Sequence, residues 1–254
     1  MHTRSAPLAL LAVLFLPAAS NAPITLKYKI RQHFSQTIDL TVAGGETQSG
    51  AADYDIYVTI NSQDSAGGHA VTAQVDSLIP AAGADPQVAA AVTAQMKDAK
   101  GSGFIDGKGK ASGFPSDTKG AALRQLMQAV YPTVKNGAKP GDKWSDTTAV
   151  TDSAMGGAVQ RNIVTNYTAA AGEKWKGEST LKLVTASSYT LTGSQSGLAL
   201  QGNGRINGTV TVSRAGHIVS GQNSSQVNIS ATSPQAPAPI PIVNETSSTI
   251  TLLP

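Results

Sequence analysis

The chain contains no cysteine. That excludes disulfide scaffolds, thiolate metal sites, thiol nucleophiles and a lipid-anchored N-terminal cysteine. Aromatic residues make up only 5% of the 254 residues. A membrane barrel would want them for its interfacial girdles, and a sugar platform would want them for stacking. Charged residues are only 14%, and 19 Lys and Arg against 16 Asp and Glu leave a net charge of +3. An imbalance that small is not the footprint of a nucleic-acid-binding surface.

Catalytic patterns are equally scarce. Gly193-Ser194-Gln195-Ser196-Gly197 carries glutamine where a nucleophilic serine belongs. The Gly101/Gly103, Gly107/Gly109 and Gly202/Gly204 pairs each meet their next glycine one residue too late for a dinucleotide fingerprint. His33, His69 and His217 have no companion at metal-ligand spacing, and surface positions are expected for them. Asp53 and Asp55 share one strand face, where solvation and edge protection are their expected roles. The sequence therefore predicts a protein that is not an enzyme and needs no cofactor.

The first 22 residues read as an export signal: Arg4, then an apolar stretch built on Pro7-Leu8-Ala9-Leu10-Leu11, then small residues from Ala18 to Ala22. Cleavage after Ser20 and cleavage after Ala22 are the two alternatives. The apolar run is short of the ~20 residues a membrane span needs. The expectation is an exported chain, periplasmic or extracellular, with no transmembrane helix after signal cleavage. Residues 23–254 are then a single β-rich domain.

With 40% hydrophobic residues, there is material for a core. Even positions from Leu26 through Tyr28, Ile30, Phe34 and Ile38 are mostly apolar and odd ones polar, which predicts a long strand with one face covered. The same rhythm recurs around Tyr54–Ile60 and Val71–Ile79. It resumes near 143–150, 158–169, 178–192, 197–213, 217–231 and 240–253, about nine main strands joined by short turns as an antiparallel meander. Pro234 to Pro241 is expected to be a stiff connection outside the ladder.

A helical insert at about 85–132 interrupts the meander. Asp85-Pro86 supplies a cap and a first-turn proline, and Val88, Val92 and Met96 follow at helical spacing. A second helix starts near Ser116-Asp117, aligns Leu123, Met127 and Val130, and ends before Pro132. Between them Phe104 to Gly109 reads as a small hairpin. The predicted fold is mainly β: a strongly curved antiparallel sheet, half-barrel or open barrel, with two helices packed on one face.

Two features of the C-terminal part bear on function. Residues 183–254 carry only Arg205, Arg214 and Glu245 as charged side chains. The inward positions of 198–212 include Gly202, Gly204 and Gly208 among Leu198, Leu200 and Ile206. Three missing side chains on an apolar face mean either that helices approach closely there or that a cleft remains.

The Tyr28-Lys29-Ile30 strand, the Gly141-Asp142-Lys143-Trp144 turn after Lys139-Pro140, and the hairpin from Val212 through Gly216-His217 to Val219 resemble those of a family of secreted or periplasmic bacterial β-proteins. In layout that family is similar to lipoprotein-carrier-type half-barrels. The resemblance implies a curled sheet around helices and a role in carrying a hydrophobic ligand. It transfers no catalytic residue, since the family's chemistry is not established. Site residues expected on the residues' own pattern are Val88, Val92, Met96, Leu123, Met127 and Val130 on the helices, with Gly202, Gly204 and Gly208 on the strand. The partner expected is a lipid or another apolar ligand, with no nucleic acid and no metal. A structural or adhesive envelope protein is the alternative, favoured by the uncharged polar surface of 183–254.

Overall fold

The computed structural model describes residues 22–135, 137–152, 157–233 and 238–254. The export signal expected over 1–22 lies almost wholly outside them, as does part of the 234–241 connection. Among these residues, eleven strands form one antiparallel sheet that does not close. The first three are β1 (Ile24–Ile38), β2 (Gln48–Ser65) and β3 (Gly68–Pro80). After helix α1 (Pro86–Met96) come the short β4 (Lys100–Asp106) and β5 (Ala111–Ser112), then helix α2 (Thr118–Val130). The remaining strands are β6 (Lys143–Asp152), β7 (Val159–Ala171), β8 (Leu181–Gln195), β9 (Leu198–Val212), β10 (Ile218–Thr232) and β11 (Ile240–Leu252).

The strand order is β5-β4-β3-β2-β1-β11-β10-β9-β8-β7-β6, so the first and last strands meet near the middle. The nine expected strands are all present. The other two are β4 and β5, the small hairpin between the helices. β4 pairs with β3 from Gly68/Asp106 to Gln74/Lys100 and so extends the sheet at that edge. Pro241 stands inside β11, opposite Ser230, and its carbonyl accepts from the Asp39 amide at 2.9 Å. Having no N–H to offer, it is tolerated near the strand's first residue.

Both helices start as their sequences dictate. The Asp85 carboxylate accepts from the Gln87 and Val88 amides at 2.8 and 3.1 Å, and Asp117 accepts from Gly120 at 2.7 Å. Each cap satisfies orphan donors of the first turn. The helices differ in depth. α2 buries Leu123, Leu126, Met127 and Val130 in the core, whereas α1 has no buried residue.

The sheet is bent around them. The Thr133 hydroxyl donates to the Lys108 carbonyl at 2.7 Å and also meets the Tyr167 phenol. Lys108 follows β4 and Tyr167 lies in β7, eight places along the sheet. In a flat sheet those strands would stand roughly 38 Å apart. One core therefore gathers Tyr28, Ile56 and Val58 from one half of the sheet, Leu183 and Val212 from the other, and Leu123 from α2. Irregular registers at Tyr57/Val58 and Ile218/Ser220 sharpen the bend locally.

Candidate functional site

Burial along β1 changes midway. Leu26, Tyr28 and Ile30 are buried, while Phe34 and the glutamines Gln32 and Gln36 on the same face are only half-buried. The core ends there and a cleft of about 620 Å³ begins. Its floor is the covered face of β2, β1, β11 and β10; its other wall is α1 and α2. Register explains the floor. Gln32 stands beside Tyr54 and Ser248, Phe34 beside Ala52 and Thr246, and Ser248 opposite Asn223.

The cleft has a mixed lining. Val88, Val92 and Met96 on α1 and Leu126 on α2 are apolar, with Gln95 and Gln125 beside them. On the strands Ile30, Phe34 and Ile250 are apolar, and Gln32, Gln36, Asn223, Thr246 and Ser248 are polar. Among the described residues, no Asp, Glu, Lys, Arg or His lines it. Tyr54 of β2 also lines it, 2% exposed, and its hydroxyl has no hydrogen-bond partner among the described residues. Burial, and then the Asp85 carboxylate, raise the Tyr54 phenol above its ordinary pKa, so it holds its proton as a donor.

Of the residues singled out from sequence, Val88, Val92 and Met96 line this cleft. Leu123, Met127 and Val130 are fully buried one face away on α2, where Ala122, Leu126 and Ala129 line the cleft instead. Gly202, Gly204 and Gly208 lie outside it. A Cβ on Gly204 would strike the Gln226 carbonyl and approach Val227 within 2.8 Å. One on Gly202 would come within 3.2 Å of the Ile229 side chain, and one on Gly208 within 3.0 Å of the Thr185 hydroxyl. The space those glycines free is taken by neighbouring strands, which lets β9 and β10 lie close. Sequence reasoning missed Tyr54's part in the cleft. It also missed Asn223, Thr246 and Ser248, whose placement beside β1 depends on the β1–β11 pairing of chain ends.

A second polar group lies in the core. His217 was expected at the surface but is 5% exposed. The Ser213–Gly216 turn, with Gly216 at φ +85°, folds it inward, and Trp175 stands edge-on to it at 5.9 Å. Its Nε2 has no hydrogen-bond partner among the described residues. Burial, then the charge of His69, push its imidazole below the ordinary pKa. On the outer face His33 pairs with Asp53 at 2.9 Å, while Asp55 bridges Lys29 and Arg31. Those two cations hold the Asp55 carboxyl below the usual range. Trp144 stacks on Tyr167 at 5.0 Å. Among the described residues, no three His, Cys, Asp or Glu side chains converge as metal ligands, and no helix is long and apolar enough to cross a membrane.

Compared with protein-family models, with curated proteins and with solved structures, the chain matches none.

Proposed function

We propose that this is an exported, non-enzymatic protein of the periplasm or extracellular space. On this reading it binds a lipid or acyl chain between its helices and a sheet curled as a half-barrel. The observation that carries the reading is the cleft. Its volume of about 620 Å³ falls within the range of small-molecule sites, roughly 300–1,000 Å³. Apolar side chains stay half-exposed along it: α1 presents Val88, Val92 and Met96 without burying any of them. An occupant covering that surface would gain roughly 25 cal/mol for each Å² taken from water. The export signal and the layout resemblance expected from the sequence agree with it.

A structural or adhesive envelope role is the second reading. It is favoured by the outer face of β8 to β10, where Thr190, Asn203 and Asn228 stand in one uncharged row. Extraction of the protein purified from its native host, followed by mass spectrometry, separates the two. The ligand reading expects a lipid at near one copy per chain. A lipid-free folded protein that takes up no added lipid would leave the envelope role.

A further inference from the structure

We infer that the ligand is an uncharged amphipath, an acyl chain joined to a neutral hydrogen-bonding head such as a glycerol ester, and that the Tyr54 phenol donates to that head. The inference rests on the reading of the cleft as a ligand site and goes on to name the ligand's chemistry.

The first argument is charge. Among the described residues, no ionised side chain lines the cleft. An ionised carboxylate or phosphate drawn into it would lose hydration without meeting a cation, which is costly. The carboxylate whose charge reaches Tyr54 is Asp85, and it already accepts the Gln87 and Val88 amides of α1. It would repel an anionic head instead of recruiting one.

The second argument is the polar wall. A site for a bare hydrocarbon has no use for Gln32, Asn223 and Ser248 along one side. Carboxamides and hydroxyls both donate and accept, which suits esters and hydroxyls. Val92, Met96 and Leu126 on the helices, beside Gln95 and Gln125, and Ile30 and Phe34 on β1 offer an acyl chain apolar contacts. The lining therefore mixes apolar and uncharged polar groups, as a neutral lipid does.

Tyr54 is the third argument. Tyr54 lines the cleft, and its hydroxyl is buried, protonated and, among the described residues, unpartnered. A buried donor without an acceptor destabilises the empty protein, and a ligand carbonyl or hydroxyl there would relieve that. Gln32 stands directly beside it in the register and Ala52 and Phe34 flank it, yet none of them accepts from the hydroxyl.

The test compares monoolein with oleate at about pH 8, where the fatty carboxylate is ionised. Both ligands are titrated against the full purified protein and against Tyr54→Phe. The hydrocarbon fluorophore diphenylhexatriene serves as a probe with no polar group. Monoolein is expected to bind at least tenfold more tightly than oleate. Tyr54→Phe is expected to lose about three- to tenfold in monoolein affinity. It should leave the fluorophore's affinity unchanged and the ligand-free melting temperature unchanged or higher, an outcome a purely structural tyrosine would not give. Equal affinities for monoolein and oleate, or no loss in Tyr54→Phe, would overturn the inference while fluorophore binding kept the cleft as a ligand site. Failure of the unmutated protein to bind any of the three would overturn the ligand site itself, and this inference with it.

Discussion

The Tyr28 phenol donates a 2.8 Å hydrogen bond to the Ile218 carbonyl, reaching from β1 past β11 to the first residue of β10. Both residues are almost wholly buried, at 0% and 1% exposure. The bond ties the strand that begins the sheet's covered face to the hairpin carrying His217, below the open cleft. Burial raises the Tyr28 phenol far above its ordinary pKa, so it remains a donor at any physiological pH.

Tyr28→Phe tests that tie. It keeps the ring and leaves the Ile218 carbonyl buried without its donor, so the expected loss is about 1–3 kcal/mol in urea unfolding. A change within error would show that the carbonyl finds water there.

Leu123 and Phe34 should part company. Leu123 is fully buried on α2, and Leu123→Ala is expected to cost about 2–5 kcal/mol. Phe34, read from its alternation as a core residue, is half-buried on the cleft. Phe34→Ala should cost less than Leu123→Ala and should weaken ligand uptake, measured by chemical denaturation and by fluorophore titration. The reverse ranking would move the boundary between core and cleft.

These two residues show how far the sequence was legible. Alternation identified the face of Phe34, because period two follows from strand geometry alone. It did not say whether that face meets a helix or a gap. Asp85 and Asp117 were readable as helix starts, since capping depends on neighbours two and three residues away. The β1–β11 pairing was not readable, because strands at opposite ends of the chain carry no local mark of each other. That pairing places Ser248 and Thr246 beside Gln32 and Phe34. His217 misled for the same reason: a turn signal at Arg214-Ala215-Gly216 suggests exposure, and Trp175 arrives from another connection.

Gly204 carries a prediction that separates the glycine row from the cleft. A Cβ at that position meets Gln226 and Val227 of the adjacent strand. Gly204→Ala should lower stability by about 1–3 kcal/mol through overpacking and leave fluorophore uptake unchanged in the folded fraction. Lost uptake in a protein of unchanged stability would return the glycines to the ligand site.

His217 gives stability a pH dependence of definite sign. Its folded pKa is depressed by burial and His69, so near pH 6 the unfolded chain binds more protons than the native one. The stability it contributes is present above the unfolded value of about 6.5 and is lost as pH falls toward and through the folded value. The urea midpoint should fall between about pH 8 and pH 5, a window above the ordinary carboxylate range. His217→Phe should flatten that slope. An unchanged slope in the variant would place the titrating group elsewhere.

The central claim is that the space between α1, α2 and the β1–β11–β10 floor takes an apolar ligand, and Val92→Glu tests it most directly. Val92 is half-exposed on α1 and lines the cleft, so a carboxylate can be carried there without unfolding the core. Titration with diphenylhexatriene should show saturable binding to the unmutated protein and at least tenfold weaker binding to the variant, with melting temperatures within a few degrees of each other. Equal fluorophore binding by both folded proteins, or none by either, would contradict the account.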